Sequence, residues 1–196
     1  WDHRGREGGM TERQAYRVVA RHPGFELRRY PAHLVAEVRV AGSFESAGGA
    51  AFRPLARYLS GANRSRRAAP VAAPSPPEPA GAERIAMTVP VLQVEGDRPG
   101  SWVVQFVMPA DFTPATLPEP TDPLVTTREI PGQLAAAMRF SGRWTARTFD
   151  RRATALGRAV TAAGLTPAGA VRYARYDPPW KPWFLRRNEV VLPVAE

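Results

Sequence analysis

Cysteine is absent from this chain of 196 residues, and lysine occurs once, as Lys181. Without cysteine there is no disulfide, no thiolate zinc site and no cysteine nucleophile. Histidine is scarce as well, and no two of His3, His22 and His33 are spaced to share a metal on one element. No apolar run approaches the roughly 20 residues of a membrane-spanning helix, and no signal-peptide pattern is present. Gly-x-Ser-x-Gly, a phosphate-binding glycine loop and His-Glu-x-x-His are all missing. These absences favour a binding protein over an enzyme and point to a cytoplasmic location.

What is present is a globular composition, 44% hydrophobic and 23% charged, in a length that suits one large domain with its own core. The net charge of +9 comes almost wholly from arginine. Arg13, Arg39, Arg57, Arg98, Arg128 and Arg158 are scattered, and only Arg64, Arg66 and Arg67 bunch. That distribution argues against a dedicated nucleic-acid surface and leaves room for a small anionic ligand. Met10-Thr11-Glu12 reads like a natural start, so 1–15 is expected to be a flexible N-terminal extension and 16–196 a single domain. Residues 64–83 run from an arginine cluster through Ala and Pro to Pro79-Ala80-Gly81; with little to bury, they read as a solvated loop insertion.

The sequence matches itself at an offset of 100 positions: Arg28 meets Arg128, Pro31 meets Pro131, Leu34 meets Leu134, Arg39 meets Arg139 and Gly42 meets Gly142. The match runs without a gap and suggests two equivalent halves. In each half a strand comes first, at about 33–41 and 133–141, with period-two alternation that predicts one polar-leaning face. A helix follows at about 45–60, with Phe52, Leu55, Ala56 and Leu59 on one face, and at about 147–163, with Phe149, Ala153, Leu156, Val160 and Ala163. Strands are expected at 84–94 and 101–108, then at 169–176 and 188–194. The order β-α-β-β twice predicts an α+β fold: a distorted, antiparallel-rich β-barrel of two pseudo-twofold repeats with two helices packed on it.

Among chemistry-bearing residues, His33 falls on the strand face of Glu37 and Arg39 and reads as a rim histidine, and His22 before Pro23 as a turn residue. Asp111, Glu119, Asp122 and Glu129 stand among prolines and read as turn residues rather than an acid/base pair. Pro90 inside the stretch from Arg84 to Val91 marks an edge strand or bulge, and Met87 reads as a core residue. The stretch Tyr176-Asp177-Pro178-Pro179-Trp180-Lys181-Pro182-Trp183-Phe184-Leu185-Arg186-Arg187 is aromatic, cationic and stiffened by proline. It suits a flat apolar ligand that carries anions, or equally a loop that caps the end of the barrel.

Several of these stretches together resemble the SOUL/haem-binding protein family. They are Phe25-Glu26-Leu27-Arg28-Arg29-Tyr30, Tyr58-Leu59-Ser60-Gly61-Ala62-Asn63, Arg84-Ile85-Ala86-Met87-Thr88-Val89-Pro90-Val91, Phe106-Val107-Met108-Pro109, Phe140-Ser141-Gly142, Tyr176-Asp177-Pro178-Pro179 and Arg186-Arg187-Asn188-Glu189-Val190. The resemblance covers about 16–194. It implies non-covalent binding of haem or another tetrapyrrole in an open apolar cleft between the first helix and the late loop. The family's apolar helix positions match Phe52, Leu55 and Ala56, its basic helix residue matches Arg57, and its late-loop lysine matches Lys181. Arg57 and Lys181 would then pair with the two propionates. Three positions depart from the pattern: Gly49 stands for a second basic residue, Ala56 for a methionine, and Arg29 for the histidine proposed as axial ligand in one branch.

The leading expectation is therefore a tetrapyrrole carrier or buffer with no metal site of its own, exchanging ligand with a donor or acceptor protein. The alternative is an effector-binding or protein-interaction module of the same architecture, which takes another hydrophobic ligand or a protein partner.

Overall fold

The computed structural model describes residues 11–66 and 81–196. Four strands, β1 (Glu12–Arg13), β2 (Arg17–His22), β3 (Phe25–Tyr30) and β4 (His33–Ala41), lead into helix α1 (Phe44–Leu59). Next come β5 (Asn63–Arg64), β6 (Thr88–Val89), β7 (Val91–Glu95), β8 (Ser101–Val107), β9 (Glu119–Pro120), β10 (Thr126–Ile130) and β11 (Gln133–Phe140). Helix α2 (Ala146–Ala162), β12 (Arg172–Arg175), a 3-10 turn at Trp183–Leu185 and β13 (Asn188–Pro193) complete the chain.

Nine strands form one antiparallel sheet in the order β10-β4-β8-β7-β12-β13-β11-β3-β2. The expected barrel does not close. The end strands β10 and β2 are not bonded to each other, and their charged, largely exposed sequences suit sheet edges. The α+β class with two helices on a large antiparallel sheet stands.

Each helix starts on a side-chain cap and ends at a glycine. Ser43 accepts from the amide of Ser46 and Thr145 from that of Thr148, while Gly61 and Gly164 follow with φ of 117° and 75°. The apolar stripe of α1 is Ala47, Ala51, Leu55 and Tyr58, which packs on Ala36, Val38, Val104 and Phe106. That stripe is rotated from the expected face, because the alanines bury completely and leave Phe52 at the edge, 46% exposed. Helix α2 buries Phe149, Leu156 and Val160 over Ala136, Val190 and Leu192. Phe44, the first residue of α1, belongs to the core under α2. Its ring lies 5.2 Å from Phe149, 5.2 Å from Tyr173 and 5.3 Å from Trp102.

The sheet face opposite the helices is not the solvent-leaning face that alternation suggested. Val35 and Glu37 on β4 are both buried there, because charged groups are paired within it. Arg28 donates to Glu189 Oε2 at 2.7 Å, and Arg187 and Tyr176 donate to the same carboxylate. Gln105 and Arg128 donate to Glu37. A void of only about 10 Å³ remains on this side, lined in part by Tyr30, Leu92, Tyr176 and Val191.

Other expectations need correction. The strand placed at 84–94 is interrupted at Pro90, and its second part, β7, lies at the centre of the sheet rather than on an edge. Strands β2, β3 and β10 had no counterpart among the expected elements. The segment read as an N-terminal extension enters the fold at Glu12, where β1 runs parallel to β6 and the Gln14 amide donates to Val89. Residues 1–10, and 67–80 of the expected loop 64–83, lie outside the described residues. Asn63 ties the two ends of that loop: its amide donates to the Glu83 carbonyl at 2.8 Å and its Oδ1 accepts from the Glu83 amide at 3.0 Å.

Two outcomes follow. Leu55 is fully buried, so Leu55→Ala is expected to lower stability by about 2–5 kcal/mol. Phe52→Ala, at a half-exposed site, is expected to cost no more than about 1 kcal/mol; urea denaturation reads both. Burial pushes the Glu189 carboxyl upward, but its bonds to Arg28 and Arg187 outweigh this and hold it below its usual range. A depressed carboxyl contributes its full stability above the unfolded value, about 4.3, and loses it as pH falls through the folded value. The urea midpoint should therefore drop with acidification from about pH 5 downward. Glu189→Gln should cost about 3–5 kcal/mol at neutral pH by leaving Arg28 unpaired, and should flatten that acid limb.

Candidate functional site

The strand register lays one row of residues across the helix-bearing face. Ala36 opposes Phe106, Phe106 opposes Val91, Val91 opposes Arg175, Arg175 opposes Asn188, and Asn188 opposes Phe140. The α1 end of this row lies under Phe52, whose ring meets Phe106 edge-on at 5.7 Å. The α2 end is held by Asn188, which accepts from the Trp144 indole at 2.8 Å and donates to the Gly142 carbonyl at 3.1 Å. Arg175 stands in the middle, between the two helices, at the point where β12 gives way to the late loop.

Arg175 is 8% exposed. Its Nη2 donates to Gln93 Oε1 at 2.8 Å, and Gln93 in turn donates to the Phe44 carbonyl at 3.0 Å. The guanidinium lies over two rings, 5.1 Å from the centre of Phe44 and 5.2 Å from that of Trp144. Its Nε is buried with no hydrogen-bond partner, and among the described residues no carboxylate pairs with it. Burial pushes this guanidinium down to about 10, with the charge of Glu45 pulling the other way. Helix α1 makes room for it with a glycine: a β-carbon added at Gly48 would collide with Nη1. Gly49 beside it is exposed, and a β-carbon there would meet nothing within 4 Å.

The late loop reaches the same place. Arg186 lies over the Trp144 ring at 4.4 Å and donates to the carbonyls of Lys181 and Pro179, which folds the loop on itself. Asp177 accepts from Lys181 at 2.6 Å and from the Arg187 amide at 2.5 Å. Burial pushes Asp177 upward, but these donors hold its carboxyl below the usual range. Trp180, Trp183, Phe184 and Leu185 remain exposed on the loop, and Arg143 covers the Trp183 ring at 5.1 Å.

The residues singled out from sequence are distributed unevenly. Phe52 stands half-exposed one helical turn beyond Gly48, and Ala56 is partly exposed one turn further. Arg57 is exposed and has no ion-pair partner among the described residues. Leu55 lies wholly in the core beneath α1, behind this face rather than on it. Lys181 is present on the loop, but its charge is already engaged by Asp177. Arg175, Trp144 and Arg186 were missed. The glycine pair inside an otherwise amphipathic helix was the available signal, because an interior glycine usually marks a close approach.

The donor set fits a tetrapyrrole's face and its carboxylates, but not its iron. Both ring nitrogens of His33 are engaged: Nε2 accepts from Gln14 at 3.0 Å and Nδ1 donates to the Pro31 carbonyl at 3.0 Å. His33 also points to the sheet face opposite the helices, where burial lowers its basicity, so it is half-buried rather than a free rim residue. His22 stacks on Phe25 at 4.6 Å. Among the described residues no three His, Cys, Asp or Glu side chains cluster as a metal site. An open depression of about 510 Å³ occurs elsewhere, between Tyr16, Arg29 and the Pro31 turn. Its Arg29 is tied to Glu196, which leaves it less suited to an anion. No helix among the described residues is long and apolar enough to cross a membrane.

Comparison with known proteins agrees with this architecture. The C-terminal domain of EcmrR is 14% identical over 92% of this chain and 98% of that one, with a TM-score of 0.63. In an EcmrR–DNA complex the match covers 88% of this chain but 57% of the EcmrR chain, with a TM-score of 0.62. A hydrolase from Listeria innocua is 14% identical over 90% of this chain and 94% of that one, with a TM-score of 0.55. These likenesses show the fold alone. No curated protein sequence matches. The sequence model of the SOUL heme-binding proteins matches residues 11–193, nearly the whole chain. The protein belongs to the SOUL heme-binding protein family.

Proposed function

We propose that the protein holds a tetrapyrrole reversibly, as a carrier or buffer, on the strip between α1 and the late loop. One observation carries this reading: exposed, apolar Phe52 stands one turn from Gly48, against which lies Arg175, a guanidinium over two rings with no carboxylate partner among the described residues. Phe52 and Ala56 supply the face that meets the macrocycle, with Leu55 fixing the helix from behind. Arg57 offers a charge to a propionate, and Lys181 borders the strip with its charge shared with Asp177. Bound haem would bring a redox-active iron; the chain itself supplies surface, orientation and charge, with no imidazole on the strip among the described residues. The reading also takes the chain as two equivalent β-α-β-β halves. The strand order supports this, since β10 lies beside β4 just as β3 lies beside β11. The exposed tryptophans of the loop favour a protein that delivers or accepts the ligand there.

Titration with haemin, followed at the Soret band, tests the proposal. A saturable one-to-one change is expected. Arg57→Ala should weaken it by about tenfold or more, the equivalent of one charge-assisted hydrogen bond. Phe52→Ala should weaken it by about three- to tenfold, and His33→Ala should leave it unchanged. A wild-type protein with no saturable change would overturn the tetrapyrrole reading in favour of an effector-binding or interaction module. Loss of binding in His33→Ala alone would move the site to the other face of the sheet.

A further inference from the structure

The cations of the fold are not equivalent. Lys181 is held by Asp177, Arg28 and Arg187 by Glu189, and Arg128 by Glu37. Among the described residues Arg175 and Arg186 have no carboxylate partner, yet both lie over the same indole, Trp144. Two like charges that share one ring, one of them nine-tenths buried with an unpartnered Nε, form an environment short of negative charge. Stacking on Phe44 and Trp144 offsets part of the desolvation of Arg175, but a buried charge ordinarily also finds a counter-ion. The part of α1 that lies against Arg175 carries no side chain. Gly48 lies against Nη1 of Arg175, and Gly49 next to it opens to solvent. Phe52 stands one turn along from that notch, so an anion entering there brings its apolar body onto the ring.

Building on the tetrapyrrole reading, we propose that Arg175 and Arg186, stacked on Trp144 behind the Gly48–Gly49 notch, form the anion receptor of this strip. The ligand class is a flat apolar dianion, one carboxylate of which meets these two guanidiniums and the other Arg57, while Lys181 acts as a strut of the loop through Asp177.

The test uses the full chain with two probes: metal-free mesoporphyrin IX against its dimethyl ester, and the fluorescent aromatic disulfonate bis-ANS. The wild type is expected to prefer the free acid over the ester by at least about tenfold. Arg175→Met should lower that preference by about tenfold and leave the ester's affinity unchanged. Gly48→Ala, which displaces the guanidinium while keeping its charge, should weaken the free acid in the same way. Lys181→Met should change it by less than about twofold. Thermal unfolding of each variant separates lost binding from lost folding. Retention of the preference in Arg175→Met, or its loss in Lys181→Met alone, overturns the assignment. If neither porphyrin binds the wild type, the tetrapyrrole reading fails. Bis-ANS then decides the receptor alone: saturable fluorescence lost in Arg175→Met upholds it, and fluorescence indifferent to that change overturns it.

Discussion

A single buried guanidinium organises the region where the two helices meet. Arg175 leaves the centre of the sheet between α1 and α2, and everything around it is shaped to receive it. Gly48 removes a side chain from α1, Gln93 turns its oxygen toward Nη2, and Phe44 and Trp144 supply ring faces. Asn188 then fixes the indole from the next strand. The two helix starts are tied at the same place, since Glu45 of α1 accepts from the Ala146 amide of α2 at 2.8 Å. That bond satisfies an otherwise unpaired N-terminal donor of α2 and places a negative charge at its positive end. The charge of Glu45 acts on Arg175, but its carboxylate is engaged by the helix.

Much of this architecture is legible in the sequence because the strands and helices carry their periods openly. Helix α2 shows its stripe of Phe149, Leu156 and Val160 directly, and the glycines after each helix mark the stops. The reading went astray where charged residues are buried. Arg28 sits in β3 and Glu189 in β13, 161 positions apart, and neither gives a local sign that the other neutralises it. A strand containing a buried arginine looks like an exposed segment, so β3 was not identified. Glu37, buried against Gln105 and Arg128, made an interior face look like an outer one. The closure of the sheet is likewise a matter of edge pairing between β10 and β2, which alternation within a strand cannot report.

The site was legible in part for the same reason. Phe52 could be placed on α1 from helical spacing, but not on which side of the burial boundary it would fall. That depends on Ala47 and Ala51 packing closer to the sheet than larger residues could. Lys181 was identifiable as a cation in the loop, yet its neutralisation by Asp177 four residues earlier needed the fold of the loop to be seen. Arg175 carried no mark at all among 27 basic residues. Only the paired glycines at 48 and 49, costly inside a helix by about 1 kcal/mol each relative to alanine, hinted that something approaches α1 there.

The contrast between the two faces of the sheet bears on what kind of ligand the protein can hold. On the face opposite the helices, paired charges and aromatic hydroxyls pack around a void of about 10 Å³ between Tyr30, Leu92, Tyr176 and Val191, too little for more than a water molecule. On the helix side, among the described residues, the charged groups without carboxylate partners include Arg175 and Arg186, both over the Trp144 ring, with Phe52 exposed one turn from Gly48. On the proposed reading, such a surface holds a flat ligand by its plane and its charged edge, and affinity rests on a few charge-assisted contacts rather than on burial. That form suits ligand exchange better than permanent retention, and it makes the identity of the paired and unpaired arginines the feature that sets which anions are accepted.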